Sequence, residues 1–315
     1  MKQADLIWMN GDYVAWEDAK IHVLTHALHY GTGVFEGVRA YETERGTAVF
    51  RHQDHIDRLF RSAQMYYMDV PFTKEQIREA TLDLIARNGL KSCYIRPVVY
   101  RGAGPMGLYP LDCPVDVFIA VWEWGAYLGE EGKQRGVTGT VVSWRKIGQD
   151  ALIPLAKANG QYLNSVLAKI EAEKAGYEEG ILLDQRGFVC EGTGENLFVI
   201  KDGVIATPGF NSSILGGINR LSAITIARDL GYEVVERDIA RGELYVADEI
   251  FMTGTAAELT PLREIDDQPI GAGEPRGRVG PVTRAIQSVF EDALHGRSDR
   301  YAGWLDVVPQ PASAP

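Results

Sequence analysis

The chain has 315 residues, 45% hydrophobic and 24% charged, the composition of a globular protein long enough for two separate cores. Its 32 basic and 43 acidic residues give a net charge of −11, and no Lys/Arg cluster interrupts that balance, which argues against a nucleic-acid surface. No apolar run approaches membrane-spanning length and residues 1–16 hold no signal-peptide core, while the well-separated Cys93, Cys113 and Cys190 match no zinc spacing, so a cytoplasmic protein with reduced thiols is expected.

Residues 6–16 read as two short strands around Asn10-Gly11-Asp12, a hairpin signal. Residues 25–39 carry three glycines among polar aromatics, which suggests a tight inward loop rather than a regular element. His22, His26 and His29 have no carboxylate or thiol at ligand spacing and are expected to be packed or hydrogen-bonded, with no metal. A helix carries His55, Ile56, Arg58, Leu59 and Phe60. A second opens on a Thr73/Gln76 capping box, buries Ile77, Ala80, Leu84 and Ile85, and stops at Gly89. Residues 92–101 alternate as a strand, so Tyr94 and Arg96 share a face, either toward solvent or toward a site.

Residues 102–107 spell G-x-G-x-x-G directly after a strand. A dinucleotide site needs a helix to start there, and Pro105, Pro110 and Pro114 prevent it, so a structured loop is predicted. Residues 115–122 read as a buried strand. The glycine-rich residues 125–136 read as an interdomain linker, separating a small domain (1–124) from a larger one (137–315) whose last residues, 308–315, fray.

The second part begins with a strand at 137–144. Lys157 then sits among small and apolar residues, just before a helix whose apolar positions Leu163, Val166, Leu167 and Ile170 fall at i, i+3, i+4 and i+7, ending near Gly176. A lysine facing inward there suits an imine with an aldehyde cofactor; a surface lysine covering apolar neighbours is the alternative. Strands at 181–183 and 188–190 flank a turn, and 197–200 and 204–206 flank Asp202-Gly203. Gly216-Gly217-Ile218-Asn219 opens a helix running to Leu230, where free N–H groups favour an anion. A strand at 249–252 leads into Gly254-Thr255-Ala256, a second small-residue turn with amides for phosphate or carboxylate, and a last helix starts at Pro281. Glu191 precedes a glycine-rich turn and could hold a pyridinium nitrogen protonated. Amine, carboxylate and anion cradles together are what pyridoxal phosphate requires. Antiparallel hairpins mixed with helices point to α+β halves, not a doubly wound parallel sheet.

Several stretches then carry a specific resemblance: His29-Tyr30-Gly31-Thr32-Gly33-Val34-Phe35-Glu36-Gly37, Tyr94-Ile95-Arg96-Pro97, Trp124-Gly125-Ala126-Tyr127, Ala156-Lys157-Ala158, Glu191-Gly192-x-x-x-Asn196-Leu197 and Gly254-Thr255-Ala256-Ala257-Glu258. From Leu6 to about Asp306 the chain resembles the branched-chain amino-acid aminotransferases of fold type IV. The resemblance implies an α+β, D-amino-acid aminotransferase-like fold, with a small N-terminal α/β domain and a larger domain built on an antiparallel or mixed barrel-like sheet. It implies pyridoxal 5'-phosphate and transamination between L-leucine, L-isoleucine or L-valine and 2-oxoglutarate. Lys157 would be the catalytic amine. Arg58, Tyr162, Glu191, Gly217, Ile218, Asn219 and Thr255 would hold the cofactor. Tyr94 with the Thr255, Ala256 and Ala257 turn would take the substrate carboxylate, and Phe35, Gly37, Arg39, Arg96, Trp124 and Tyr127 would line the pocket. Tyr30, Met106 and Leu108 would serve a second copy's site, implying at least a homodimer, with a hexamer left open. Where the family has Leu-Pro-Gly-Ile/Val-Thr-Arg, this chain has Leu215-Gly216-Gly217-Ile218-Asn219-Arg220, so Asn219 is expected to donate in place of the absent hydroxyl. The pattern Tyr94-x-Arg96 weighs against a D-amino-acid aminotransferase or an aminodeoxychorismate lyase, and the intact Lys157 and Glu191 against a non-catalytic module.

Overall fold

A computed structural model describes residues 2–125, 129–272 and 275–309. Its contacts divide the chain into two compact units. The first is Met1–Gly125, Ala156–Gly160 and Asp292–Pro315; the second is Ala126–Leu155 and Gln161–Glu291. Two segments distant in sequence from residues 1–124 therefore fold with the first unit, among them the one bearing Lys157.

The first unit is built on a sheet whose pairings among the described residues are all antiparallel. Its longer strands are β1 (Leu6–Met9), β2 (Asp12–Ala15), β3 (Gly33–Phe35), β4 (Val38–Thr43), β5 (Gly46–Phe50), β6 (Cys93–Arg101) and β7 (Val115–Glu123), joined by the C-terminal strand Leu305–Val307 against β5 and the two-residue strand Lys2–Gln3 against β7. The β1–β2 turn adopts left-handed φ at Asn10 (50°) and Gly11 (105°), as an Asn-Gly hairpin requires. Helices α1 (His26–Tyr30), α2 (His52–Met65) and α3 (Lys74–Arg87) complete the unit. In α3 the capping box forms in both directions: Gln76 N–H donates to Thr73 Oγ1 (3.1 Å) and Thr73 N–H to Gln76 Oε1 (2.8 Å). Ile56, Leu59, Ile77, Leu84 and Ile85 pack with Val99, Val117 and Ile119 of the sheet in one core.

Three expectations need correction here. Residues 25–39 are not an irregular loop. They form α1, closed by Gly31 at φ 68°, and then β3, which pairs with β6. The histidine ring nitrogens are what stabilise so short a helix: His26 meets Thr32 Oγ1 (2.8 Å) and the Gly107 carbonyl (2.7 Å), and His29 meets the Val23 carbonyl (2.8 Å). Strand β7 is buried at Val117, Ile119 and Val121 but only partly covered at alternate positions, so it lines one core rather than two. Val308, expected to fray, is buried and donates to the Thr47 carbonyl at 2.8 Å; residues 310–315 lie outside the described residues. The G-x-G-x-x-G stretch is a loop, as the prolines dictate.

The second unit is a closed barrel. Strands β8 (Val137–Arg145), β9 (Glu179–Leu183), β10 (Val189–Gly192), β11 (Asn196–Lys201), β14 (Glu249–Gly254) and β15 (Glu258–Ile265) pair in the cycle β8-β9-β10-β11-β14-β15-β8. Closure removes exposed edges. Strands β12 (Val204–Thr207) and β13 (Glu233–Glu236) extend from β11. The β8–β9 and β12–β13 pairs are parallel, so each needs a crossover; α5 (Tyr162–Lys174) and α6 (Ile218–Asp229) supply them. Within the expected linker, residues Gly129–Arg135 form helix α4, anchored by an ion pair from Lys133 to the buried Glu258; Ala126, Tyr127 and Leu128 lie outside the described residues. A last helix, α7 (Pro281–Leu294), has its first amides held by Glu249, which accepts from Val282 (3.0 Å) and Thr283 (2.7 Å). Among the described residues no helix is long and apolar enough to cross a membrane.

The apolar stripe of α5 is not its buried face. Leu163, Val166, Leu167 and Ile170 are exposed, while Ala168 and Ala172 pack against Val142 and Leu182. Small side chains let the helix lie close to the barrel, with the Ala168 carbonyl against the backbone at Gly180, and the larger apolar residues are left outside. Ala168→Leu is therefore expected to lower stability by about 1–3 kcal/mol through overpacking, measured by urea unfolding; an unchanged midpoint would mean α5 has slack against the barrel.

Candidate active site

In the first unit, Lys157 is fixed through its backbone. Its carbonyl accepts from Phe35 N–H (3.0 Å), its own N–H donates to Ser62 Oγ of α2 (3.1 Å), and Ala158 bridges Val34 of β3. The side chain is half-buried, with Nζ 5.0 Å from the Phe35 ring centroid. Next to Phe35 lies a group that the sequence reading missed. Glu36, fully buried, accepts from Arg58 Nε (2.6 Å) and Nη2 (2.8 Å) and from His55 Nδ1 (2.7 Å). Burial works to raise its carboxyl pKa, but Arg58, and then His55, hold it well below the usual carboxylate range. Burial pushes His55 down, against the pull of Glu36, so the imidazole is neutral and the trio carries no net charge. The fork of Arg58 is thereby set in place by Glu36.

Tyr94 and Arg96 do share a face, and it is not a solvent face. Arg96 Nη2 donates to Tyr94 Oη (3.2 Å), and its guanidinium lies 4.5 Å from the Phe35 centroid and 5.3 Å from that of Tyr94. Arg96 Nε is buried without a partner among the described residues. Tyr94 is edge-on to Trp124, centroids 4.7 Å apart. Gly37 must be glycine for a steric reason: a Cβ there would collide with the Tyr94 hydroxyl. Arg39 Nη2 donates to the carbonyls of Trp124 (2.6 Å) and Gly125 (3.0 Å), holding the end of the Trp124-Gly125 stretch. Tyr30, Met106 and Leu108 are exposed on the single chain, and Tyr127 lies outside the described residues.

In the second unit, the buried Glu191 at the end of β10 is held by three donors. Lys146 Nζ reaches Oε1 (2.6 Å); Asn196 Nδ2 (3.1 Å) and the Leu215 N–H (3.0 Å) reach Oε2. A carboxylate offers about four acceptor positions, so among the described residues one remains, on Oε1. Burial works to strip the charge of Lys146, but Glu191 together with neighbouring groups raises its pKa on balance, so the ammonium is kept. The nearby Glu195 goes the other way: burial, then Glu179, pushes its carboxyl up to about 8, which favours the neutral form. Asn196 also donates to the Leu215 carbonyl (2.9 Å), so Glu191 and Asn196 between them hold the N–H and the C=O of Leu215 just ahead of α6.

That grip sets the mouth of α6. Gly217 is its N-cap and makes no side-chain cap bond, leaving the first-turn amides of Ile218 and Asn219 for a ligand. A Cβ on Gly217 would strike Asn196 Oδ1. Asn219 does not simply replace a donor hydroxyl. Its Nδ2 donates to the Gly254 carbonyl (3.0 Å), tying the α6 mouth to the Thr255-Ala256-Ala257 turn, and its buried Oδ1 has no partner among the described residues; nor has Thr253 Oγ1. Tyr162 is the first residue of α5. Lys146 was also missed in the sequence, since it lies 45 residues from Glu191 and only the β8–β9–β10 pairing joins them.

These groups are an amine, a compensated carboxylate with an open acceptor position, and an uncapped helix mouth with a small-residue turn. The family model described as amino-transferase class IV matches residues 33–265, and the chain belongs to that family. Similar proteins include the branched-chain-amino-acid aminotransferases of Escherichia coli K12 (48% identical, covering 98% of this chain and 99% of the relative) and of Pseudomonas aeruginosa (48%, 98% and 100%). The Escherichia coli enzyme's crystal structure matches with a TM-score of 0.94 at 48% identity, covering 98% of this chain and all of that one. The branched-chain aminotransferase of the archaeon Thermoproteus uzoniensis, solved with norvaline, matches at 0.91 and 41%, with 97% and 100% coverage.

Glu36 gives a pH test. Its carboxyl is more acidic folded than unfolded, so its stabilisation is present above the ordinary carboxyl pKa, about 4.3, and is lost as pH falls below it. Glu36→Gln should cost about 3–5 kcal/mol at neutral pH by leaving Arg58 uncompensated. It should also flatten the parent's loss of stability between about pH 5 and pH 3. Urea unfolding at both pH values checks this; an equally steep loss in both proteins would locate the acid sensitivity elsewhere.

Proposed function

We propose that the protein transfers amino groups between L-leucine, L-isoleucine or L-valine and 2-oxoglutarate, using pyridoxal 5'-phosphate, as a cytoplasmic homo-oligomer. The observation that carries this reading is the Glu191–Leu215–α6 arrangement: one buried carboxylate acceptor position left for a ring N–H, beside an uncapped helix mouth suited to a phosphate. The names of the full-length relatives support it. So do the ligands in solved branched-chain aminotransferases 47% identical to this chain, N-(5'-phosphopyridoxyl)-L-glutamate in one structure and 4-methylvaleric acid in another.

When bound, the cofactor supplies an aldehyde and an electron-withdrawing ring. The chain's own residues do the rest. Lys157 provides the anchoring amine and moves the proton between substrate Cα and cofactor C4′. Glu191 holds a proton on the ring nitrogen, and Tyr162 meets the ring oxygen. Arg58, Thr255, Gly217 and the amides of Ile218 and Asn219 take the phosphate. The Tyr94 hydroxyl and the Thr255, Ala256 and Ala257 turn take the α-carboxylate. Phe35, Gly37 and Trp124 form apolar walls, with the Trp124 backbone braced by Arg39. Tyr30, Met106 and Leu108, exposed on one chain, serve a second copy, and the uncovered α5 stripe fits association into at least a dimer.

Lys157→Ala is expected to abolish transamination in a folded protein, since loss of the proton transfer alone removes about 10²–10⁴-fold; turnover within roughly tenfold of the parent would sink the assignment.

One pocket must accept leucine and glutamate in turn, and an apolar wall cannot bury an unpaired carboxylate. Arg96 answers this from the margin, stacked on Phe35 and Tyr94 with Nε unpartnered among the described residues. Arg96→Met should slow the glutamate half-reaction by about a hundredfold, the worth of a charge-assisted bidentate contact, and largely spare leucine. Stopped-flow absorbance on each half-reaction decides it; equal slowing would move Arg96 to the α-carboxylate or to a structural role.

A further inference from the structure

We propose that Lys146 is a positioning residue for the reaction, the permanent counter-cation that keeps Glu191 ionised and keeps the shared proton on the cofactor's ring nitrogen. This rests on the reading of Glu191 as the ring-nitrogen partner. Lys146 follows β8 directly, and its backbone is fixed on both sides: its N–H donates to the Leu183 carbonyl (2.9 Å), and its own carbonyl accepts from Gln185 Nε2 (2.8 Å). Its ammonium is therefore delivered to Glu191 Oε1 from a strand end rather than from a mobile loop.

The charge logic follows from the distances. A proton on the ring nitrogen leaves Glu191 negative, 2.6 Å from the Lys146 ammonium; a proton on Glu191 forfeits that attraction. A ring N–H donating to the same oxygen would stand farther from the ammonium than that oxygen does, so the attraction gained exceeds the repulsion added. Burial, then Glu179, pushes the carboxyl of the nearby Glu195 up to about 8, which favours its protonated form and leaves Lys146 to Glu191. Asn196 and Leu215 N–H fill Oε2, so the incoming ring N–H is directed to Oε1, the oxygen that Lys146 also holds.

The test compares the parent with Lys146→Met, Lys146→Arg, Glu191→Gln and the Lys146→Met/Glu191→Gln double variant, each as apoprotein and reconstituted with pyridoxal phosphate. The apoprotein thermal midpoint should drop in Lys146→Met and recover in the double variant, since only the single change leaves a buried charge alone. With cofactor, Lys146→Met should shift the visible absorbance in the same direction as Glu191→Gln and slow single turnover of L-leucine by roughly tenfold or more, one pKa unit's worth. Lys146→Arg should restore the parent spectrum. If Lys146→Met does not fold, Lys146→Gln, which keeps a donor without the charge, replaces it. A parent-like spectrum, cofactor affinity and turnover in Lys146→Met beside an altered Glu191→Gln would overturn the proposal and leave the Glu191 reading intact. A parent-like Glu191→Gln would overturn that reading and the proposal with it.

Discussion

A carboxylate buried as deeply as Glu191 is stable as an anion only if its acceptor positions are filled by donors, and much of the second unit is arranged to fill them. Lys146 comes from the end of β8, Asn196 from the start of β11, and the Leu215 amide from the approach to α6. Three separate parts of the chain thus converge on one side chain, and moving any of them exposes an uncompensated charge. The sheet makes the convergence possible, because β8 pairs with β9 and β11 with β10, on either side of the β9–β10 hairpin.

Two glycines show how tightly backbone and side chain are fitted around these groups. At Gly217 the space for a Cβ belongs to Asn196, which is itself occupied with Glu191 and Leu215; at Gly37 it belongs to the Tyr94 hydroxyl. Neither residue is glycine for the sake of an unusual φ, since neither is among the positive-φ glycines. Asn219 extends the same construction by tying the helix mouth to the Gly254 carbonyl. The substitutions relative to the family pattern at 216 and 219 therefore flank a helix mouth that has no side-chain cap bond.

The first unit solves a similar problem with a different balance. Glu36 is buried beside an always-charged Arg58 and a His55 that burial keeps neutral, so the trio is electrically closed and the guanidinium is held rigidly. Lys157, next to Phe35 in space, is positioned by bonds from its backbone to Phe35 and Ser62, which fix where its side chain begins. A guanidinium set by a carboxylate and a lysine set by its own backbone follow from these two kinds of support.

The sequence by itself determined what is decided within a few residues. The Asn10-Gly11 and Asp202-Gly203 turns, the Thr73/Gln76 box, the proline-blocked loop at 102–107 and the glycine mouth of α6 depend on local φ and local hydrogen bonds, and all stand where they were read. Tertiary structure alone decided which surface each element shows. The apolar spacing on α5 is real, yet the barrel takes the alanine face, because close approach favours small side chains; residues 25–39 become helix and strand because the Gly107 carbonyl, which meets His26, and β6 supply partners far along the chain. The pairs Lys146–Glu191 and Arg58–Glu36 left no local trace, since a buried charge finds its partner through the fold and not through its neighbours in sequence.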